Sequence, residues 1–232
     1  MTLKKLAIFV EGQTEQIFLK EFIEQIAGQG NISFTCQTAN AAIRLSQNLP
    51  IESETHQVLI YDCRGDEAVK SVALDQRASL SRAGYSLILG VRDLYPRGLS
   101  ELESIKKKLQ YGVPTSGIPT HILIAVAEIE AWFLQEHSHF SKIDLALNVA
   151  NFKEQFNFDP NVDSAETIAA PAALLHSIYA TVGKAYKKTR KNVQRTVEVL
   201  DYGNLYLSCG EKMPHLQVFV NHIENFLAPD LS

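Results

Sequence analysis

The chain has 232 residues, of which 46% are hydrophobic and 21% are charged. This balance is typical of a globular protein with one large core, or a core plus a small helical appendage. The formal net charge of −4 excludes a uniformly basic nucleic-acid-binding protein.

The first predicted element is a strand over residues 6–10, which runs directly into Glu11 and Gly12. A short, continuous apolar run is typical of a strand that is buried on both faces, as in a parallel sheet. Thr14 is the predicted cap of the following helix, and Gly28 is placed to end it. The start of the chain therefore predicts a strand, a tight turn and a helix, with an acid at the carboxyl end of the strand.

Further apolar runs predict strands at 31–37, 56–62, 85–93 and 121–128. Helical patterns separate most of these runs, and one of them predicts a helix over 67–83 that Asp66 caps. Strands that alternate with helices indicate an α/β fold with a mostly parallel sheet and flanking helices. In such folds, binding sites collect outside the carboxyl ends of the strands.

From about residue 136 the pattern becomes helical. We predict an α/β domain over 1–135 and a C-terminal helical extension over 136–232 that packs on it. The predicted helices of the extension span 169–183, 188–200 and 214–227, and the polar residues 150–168 predict a connecting loop.

Four of the predicted strands end in an acid, at Glu11, Asp62, Asp93 and Glu128. Only 26 of 232 residues are acidic, so chance is a poor explanation for the set. Carboxylates brought together on one edge of a parallel sheet repel one another unless a cation lies between them. Oxygen ligands suit Mg²⁺ or Mn²⁺, whereas Zn²⁺ favours His or Cys. For any one of these acids, helix capping or exposure to solvent remains the stronger alternative.

The segment "IFVEGQTEQIF" resembles the first motif of toprim domains, the Mg²⁺-binding α/β module of topoisomerases, primases and overcoming-lysogenization-defect nucleases. In that motif a glutamate at a strand end precedes a glycine turn, and Glu11 corresponds to it. The second toprim motif is Asp-x-Asp. The best match here, Asp93-Leu94-Tyr95, lacks the second aspartate.

Taken together, E-G-x-T-E, D-L-Y and "EIEAWFL" (128–134) resemble a family of uncharacterised bacterial toprim-like proteins. The resemblance implies an acidic catalytic site made of Glu11, Asp93, Glu128 and Glu130. It also implies that "KAYKK" (184–188) matches a Tyr-x-Lys element in the helical C-terminal part. Members of this family are inferred to act on nucleic acids, often in phage or genome defence.

Glu128 and Glu130 flank Ile129, and two geometries are open for them. They share a face if the strand continues to residue 130, whereas a helix that begins at 127 would separate them by about 200°. Glu128 is the favoured strand-end ligand. Glu130 is a second ligand, a partner of a basic residue, or simply an acid in the first turn of a helix.

The segment 184–195 holds six basic residues and no acid. On a helix, its lysines at positions i, i+3, i+4 and i+7 would share one face. Those residues are Lys184, Lys187, Lys188 and Lys191, and we predict that they bind phosphate. A solvated helix face is an equally weighted alternative. His137 and His139, in the separate segment "EHSHF", are predicted to lie on the surface.

The leading hypothesis is a Mg²⁺- or Mn²⁺-dependent, nuclease-like protein that acts on phosphodiesters of nucleic acid, in which a carboxylate or Tyr95 handles the proton. One alternative is a non-catalytic module of a defence system that binds a nucleotide or a partner, and a partner ATPase fits that setting. Another is a phosphotransferase or phosphatase for small molecules. Three cysteines without close spacing fit a reducing compartment, and no apolar run is long enough for a signal peptide or a membrane span. We therefore expect a cytoplasmic protein.

Overall fold

The computed structural model describes residues 3–28, 32–39 and 55–229. Its strands are β1 (Lys4–Val10), β2 (Ile32–Thr38), β3 (His56–Asp62), β4 (Leu87–Asp93) and β5 (Thr120–Ala125). They form a five-stranded parallel sheet in the order β2-β3-β1-β4-β5. This arrangement confirms the predicted α/β class with a parallel sheet. Four strands end in, or shortly before, one of the four predicted acids. This order makes those strands neighbours in the sheet, in the sequence β3, β1, β4 and β5.

The α-helices alternate with the strands in the first half of the chain and follow one another in the second half. They are α1 (Gln13–Ala27), α2 (Asp66–Arg82), α3 (Leu102–Gln110), α4 (Glu130–Gln135), α5 (His139–Ile143), α6 (Phe152–Phe156), α7 (Pro171–Ala180), α8 (Arg190–Val197), α9 (Tyr202–Leu207) and α10 (Pro214–Leu227). Over the described ranges, no helix combines the length and the apolar character that crossing a bilayer requires.

The described residues fall into two compact units. The first unit draws on Met1–Arg92, Glu103–Ile124 and Phe219–Ser232, and the second unit on Asp93–Leu102 and Ala125–Val218. The chain therefore enters the second unit twice, at the last residue of β4 and at the last residue of β5. The separate expectation of a domain boundary after residue 135 stays a prediction.

The first unit is built around the central strand β1. Residues 6–10 are fully buried, because β3 and β4 pair with β1 on either side and helices cover the apolar faces. Gly90 of β4 allows close packing: a Cβ atom there would lie 2.7 Å from Ile122 Cδ1 and 3.0 Å from Val69 Cγ1. Neighbouring apolar side chains therefore fill the space beside β4.

Two predicted helix caps are wrong by one or two residues. The N-cap of α1 is Gly12, and Thr14 lies inside the helix, where it is buried. The Glu15 carboxylate accepts a hydrogen bond from Gly12 N at 2.9 Å, so the second acid of the E-G-x-T-E motif stabilises the helix start. Helix α2 begins at Asp66 itself, with Gly65 at the N-cap.

The prediction of a connecting loop over 150–168 is also wrong. This stretch contains α6 and a 3₁₀ turn at Ala165–Thr167, and a further 3₁₀ turn at Val149–Asn151 leads into it. Phe152, Phe158 and Ala165 are almost completely buried. The sparse apolar residues of this polar stretch are enough to anchor it in the second unit.

Candidate metal centre

Three acids of the second unit come together in space. Asp93, Glu128 and Glu130 each offer a carboxylate oxygen, and these oxygens lie within 4.8 Å of one another. The three residues are 7%, 7% and 0% exposed, respectively. We call them the acidic cluster. Buried carboxylates at such distances repel strongly unless a cation compensates their charge.

A sharp turn after β5 aims both glutamates at the same point. β5 ends at Ala125, three residues before Glu128, so Glu128 does not end the strand as predicted. Ala127 has φ +62°, in the left-handed region that alanine rarely adopts, and its carbonyl accepts a hydrogen bond from Tyr95 N at 2.7 Å. Because α4 then begins at Glu130, neither of the two simple geometries for Glu128 and Glu130 applies.

Each carboxylate of the cluster has one oxygen held by a hydrogen-bond donor. The donors are Ile129 N to Asp93 Oδ1 at 3.1 Å, Ala172 N to Glu128 Oε2 at 2.9 Å, and the Tyr186 hydroxyl to Glu130 Oε1 at 2.8 Å. These bonds fix the orientation of the carboxylates. The second oxygen of each group is thereby directed towards a shared centre.

The cation at that centre is the ammonium group of Lys188. Its Nζ lies 3.0 Å from Glu128 Oε1, 3.3 Å from Glu130 Oε2 and 3.9 Å from Asp93 Oδ2. Burial opposes the charge of Lys188, but the three carboxylates outweigh it and raise the pKa of Lys188 above its ordinary value. Burial also raises the pKa of Glu130, and Lys188 counteracts this effect.

Lys188 reaches the cluster because its segment is not helical. Helix α8 begins at Arg190, so the predicted helix over 188–200 is wrong at its start, and Lys184, Lys187 and Lys188 share no helix face. Residues 184–187 form no helix or strand, and Tyr186 and Lys188, two residues apart, both reach the cluster. On a helix, side chains two residues apart would point about 200° apart, so the non-helical conformation is what allows both to contact the same cluster.

The other basic residues of this segment have different surroundings. Lys184 forms an ion pair with Asp144 at 3.0 Å, whereas Lys187 and Lys191 are exposed. Of the four predicted phosphate-binding lysines, only Lys188 has its ammonium group at the acidic cluster. Phosphate binding by the set stays a prediction.

The family described as "Domain of unknown function (DUF4276)" matches residues 10–224, nearly the whole chain. The chain belongs to the DUF4276 family. The DUF4276 match includes every residue of the acidic cluster as well as Tyr186 and Lys188. No curated protein and no solved structure matches the chain.

The remaining predicted acids of this DUF4276 domain, Glu11 and Asp62, belong to the first unit. Asp62 Oδ1 accepts a hydrogen bond from Arg64 N at 2.8 Å, which stabilises the turn after β3. Burial, with smaller contributions that include those of Asp62 and Glu11, raises the pKa of the Cys63 thiol to about 12. Metal binding by Glu11 and Asp62 stays a prediction.

Two further buried carboxylates of the DUF4276 domain were not predicted. The fully buried Glu136 accepts hydrogen bonds from the backbone of Ser138 and Asp201, and its neighbour His139 is fully buried too, so the prediction of a surface histidine is wrong there. The second carboxylate, Glu166, accepts two hydrogen bonds from His215, at 2.8 and 3.1 Å. A separation of 49 residues gives no local sequence signal for that pair.

Proposed function

We propose that this protein is a cytoplasmic, Mg²⁺- or Mn²⁺-dependent, toprim-like enzyme that acts on phosphodiesters of nucleic acid, in a genome-defence setting. The observation that carries the proposal is the acidic cluster, in which three oriented carboxylates each direct one oxygen towards the same centre. The D-L-Y and E-x-E segments supply its three carboxylates, and the Tyr-x-Lys segment, more than 50 residues beyond the E-x-E segment, supplies Tyr186 and Lys188, which contact them.

The residues fit a hard divalent cation. An octahedral Mg²⁺ with oxygens at about 2.1 Å needs neighbouring ligands roughly 3 Å apart and opposite ligands roughly 4.2 Å apart. The oxygens of the cluster lie within 4.8 Å of one another, so small rotations of the side chains would bring them into range. Glu130 Oε2 is buried and accepts no hydrogen bond from the described residues, and its cationic contact, Lys188 Nζ at 3.3 Å, indicates that the position suits a cation.

The side chains suit phosphoryl chemistry. A bound divalent cation would supply a Lewis acid that polarises a phosphoryl group and activates a water molecule. A carboxylate of the site or Tyr95, which is two residues beyond Asp93 and 47% exposed, would exchange a proton with the leaving or attacking oxygen. The exposed Lys187 and Lys191 would neutralise backbone phosphates without reading the base sequence.

A second candidate is a non-catalytic module that binds a nucleotide or a partner such as an ATPase. One observation favours it: Lys188 already compensates charge within the cluster, as in a structural ion-pair network. The presence of Tyr95 in place of the second aspartate of Asp-x-Asp also favours a non-catalytic module.

Metal titration followed by a nuclease screen tests the proposal. We expect Mn²⁺ binding by isothermal titration calorimetry in the native protein and none in Glu128→Gln or Asp93→Asn, since each variant loses a charged ligand. Tyr186→Phe removes the hydroxyl that donates to Glu130 and should weaken binding by about tenfold to a hundredfold. Cleavage of single- or double-stranded DNA and RNA should require the metal. The cleavage rate should be lost in Glu128→Gln and Asp93→Asn and reduced in Tyr186→Phe.

The exposed Glu198→Gln serves as the matched control, because it removes one carboxylate of the second unit outside the cluster. Its metal affinity and its cleavage rate should equal those of the native protein. If the folded native protein bound no Mn²⁺ at millimolar concentration, the enzyme proposal would fail and the non-catalytic module would become the better explanation. Metal binding without turnover of any nucleic acid would also favour the module.

A further inference from the structure

The cation position of the acidic cluster is taken by a side chain of the protein itself. The ammonium nitrogen of Lys188 faces Asp93 Oδ2, Glu128 Oε1 and Glu130 Oε2. The other oxygen of each carboxylate accepts a hydrogen bond, from Ile129 N, Ala172 N and the Tyr186 hydroxyl, respectively. The oxygens that face Lys188 are also those that would bind a divalent ion. The same atoms therefore serve two cations.

The two cations cannot occupy the centre together. An ion bound about 2.1 Å from each of these oxygens would lie within roughly 3 Å of the present position of the lysine nitrogen. Like charges at that distance in a partly buried site repel strongly. Metal binding therefore requires the ammonium group to leave.

We infer that Lys188 is an internal counter-cation which a divalent metal ion displaces, so that this lysine sets the metal affinity of the site. The inference rests on the proposed metal-binding function. The side chain of Lys188 is 43% exposed, so the ammonium group has a path to solvent. Its flexible four-carbon stem allows such a movement. The displaced ammonium would then be available to a phosphate of the substrate.

The exchange has a measurable consequence for affinity. A site that is open for only a fraction of the time binds its ligand more weakly by that fraction. If Lys188 leaves the centre open a tenth of the time, removing the lysine should tighten metal binding about tenfold. An increase in metal affinity on removal of Lys188 distinguishes this role, because deleting a residue that assisted the metal would weaken binding.

Titration of Mn²⁺ at a single pH into the native protein, Lys188→Met and Lys187→Met tests the inference. We expect binding about tenfold tighter in Lys188→Met than in the native protein. The control Lys187→Met loses the same charge from the adjacent, exposed position and should bind as the native protein does. Equal affinities in all three proteins would overturn the exchange while leaving the metal site intact. Absence of binding in all three would overturn the metal site as well.

A second measurement uses only the native protein, in case Lys188→Met does not fold. Mass spectrometry can follow the acylation of individual lysines by an amine-reactive reagent, with and without saturating Mn²⁺. The metal should increase the modification rate of Lys188, because its ammonium leaves the carboxylates. Lys187 and Lys191 serve as internal standards, and their rates should not change. An unchanged or reduced rate at Lys188 under saturating metal would contradict the displacement.

Discussion

At the scale of single residues, His139 shows how burial fixes a charge state. Its ring is fully buried, and Nδ1 contacts the backbone carbonyl of Glu136, which only an N–H at that position can satisfy. Nε2 has no hydrogen-bond partner among the described residues. Charging the ring would place a proton on Nε2 without an acceptor, and burial accordingly lowers the pKa of His139 to about 4.

This histidine predicts a loss of stability in acid. The pKa in the folded state is about 4 and the ordinary value is 6.5, so the unfolded chain takes up a proton first as the pH falls. The stabilisation is complete above pH 6.5 and is lost between pH 6.5 and 4, where the gap corresponds to about 3 kcal/mol. Urea denaturation of the native protein at intervals across this range measures the slope.

The matched variants are His139→Asn, which keeps a side-chain donor but does not titrate, and His137→Asn. The slope between pH 6.5 and 4 should flatten in the first variant and persist in the second. An unchanged slope in His139→Asn would assign the acid sensitivity to groups other than His139.

At the scale of elements, β4 depends on the absence of a side chain at Gly90. The strand pairs with β1, and the close approach of Ile122 and Val69 leaves no room for a β-carbon. We expect Gly90→Ala to reduce the free energy of unfolding by about 1–3 kcal/mol, the usual effect of overpacking a core. Urea denaturation monitored by circular dichroism measures it.

A compensating substitution separates overpacking from a backbone effect. Ile122→Val removes the Cδ1 atom, which is the closest contact at 2.7 Å. The double variant should therefore be less destabilised than the sum of the two single variants. Strict additivity would mean that the cost of Gly90→Ala arises elsewhere.

How well an element could be predicted depended on whether its signal was local. β3 was predicted with its observed bounds, because an apolar run delimited by polar residues needs no tertiary information. The predicted end of β5, at residue 128, lies three residues beyond the observed end, since nothing in "AVAEIE" indicates that Ala127 adopts a positive φ. The segment before α8 was assigned to a helix because its lysines have helical spacing. Its actual conformation depends on Tyr186 and Lys188 bonding to glutamates more than 50 residues away.

Which residues of the candidate site could be predicted also depended on whether their signal was local. Asp93 and Glu128 were predicted both from the acids that follow strands and from the resemblance to toprim-like motifs, whereas Glu130 was predicted from the resemblance. The role of Lys188 within the acidic cluster was not predicted. Its sequence neighbours are basic, and only the fold brings it to the carboxylates.

At the scale of the whole molecule, the first unit needs the C-terminal part of the chain. Phe219, Val220, Ile223 and Phe226 of α10 are at most 5% exposed. The ring of Phe219 stacks on Phe22 with centroids 6.3 Å apart, and that of Phe226 contacts His56 at 5.2 Å. These contacts link the two ends of the sequence within one core.

A chain that stops at residue 218 should therefore not fold stably. Loss of the four buried side chains removes at least about 6 kcal/mol of apolar burial, which is comparable with the total stability of a typical domain. Thermal and urea denaturation of the truncated protein should show no cooperative transition. A chain that stops at residue 229 retains all four side chains and should unfold as the native protein does. A cooperative transition in the shorter chain would show that α10 is dispensable.

The discontinuous make-up of the first unit also governs when it can form during synthesis. A ribosome completes the strands of the sheet by residue 125, yet the side chains that cover part of their core emerge about a hundred residues later. Until then the nascent sheet exposes apolar surface, and such surface favours aggregation and chaperone binding. Contacts of this sequence separation also slow folding, because a long loop must close before they form. The first unit can therefore complete its core only after α10 has been translated, whatever the speed at which the individual strands pair.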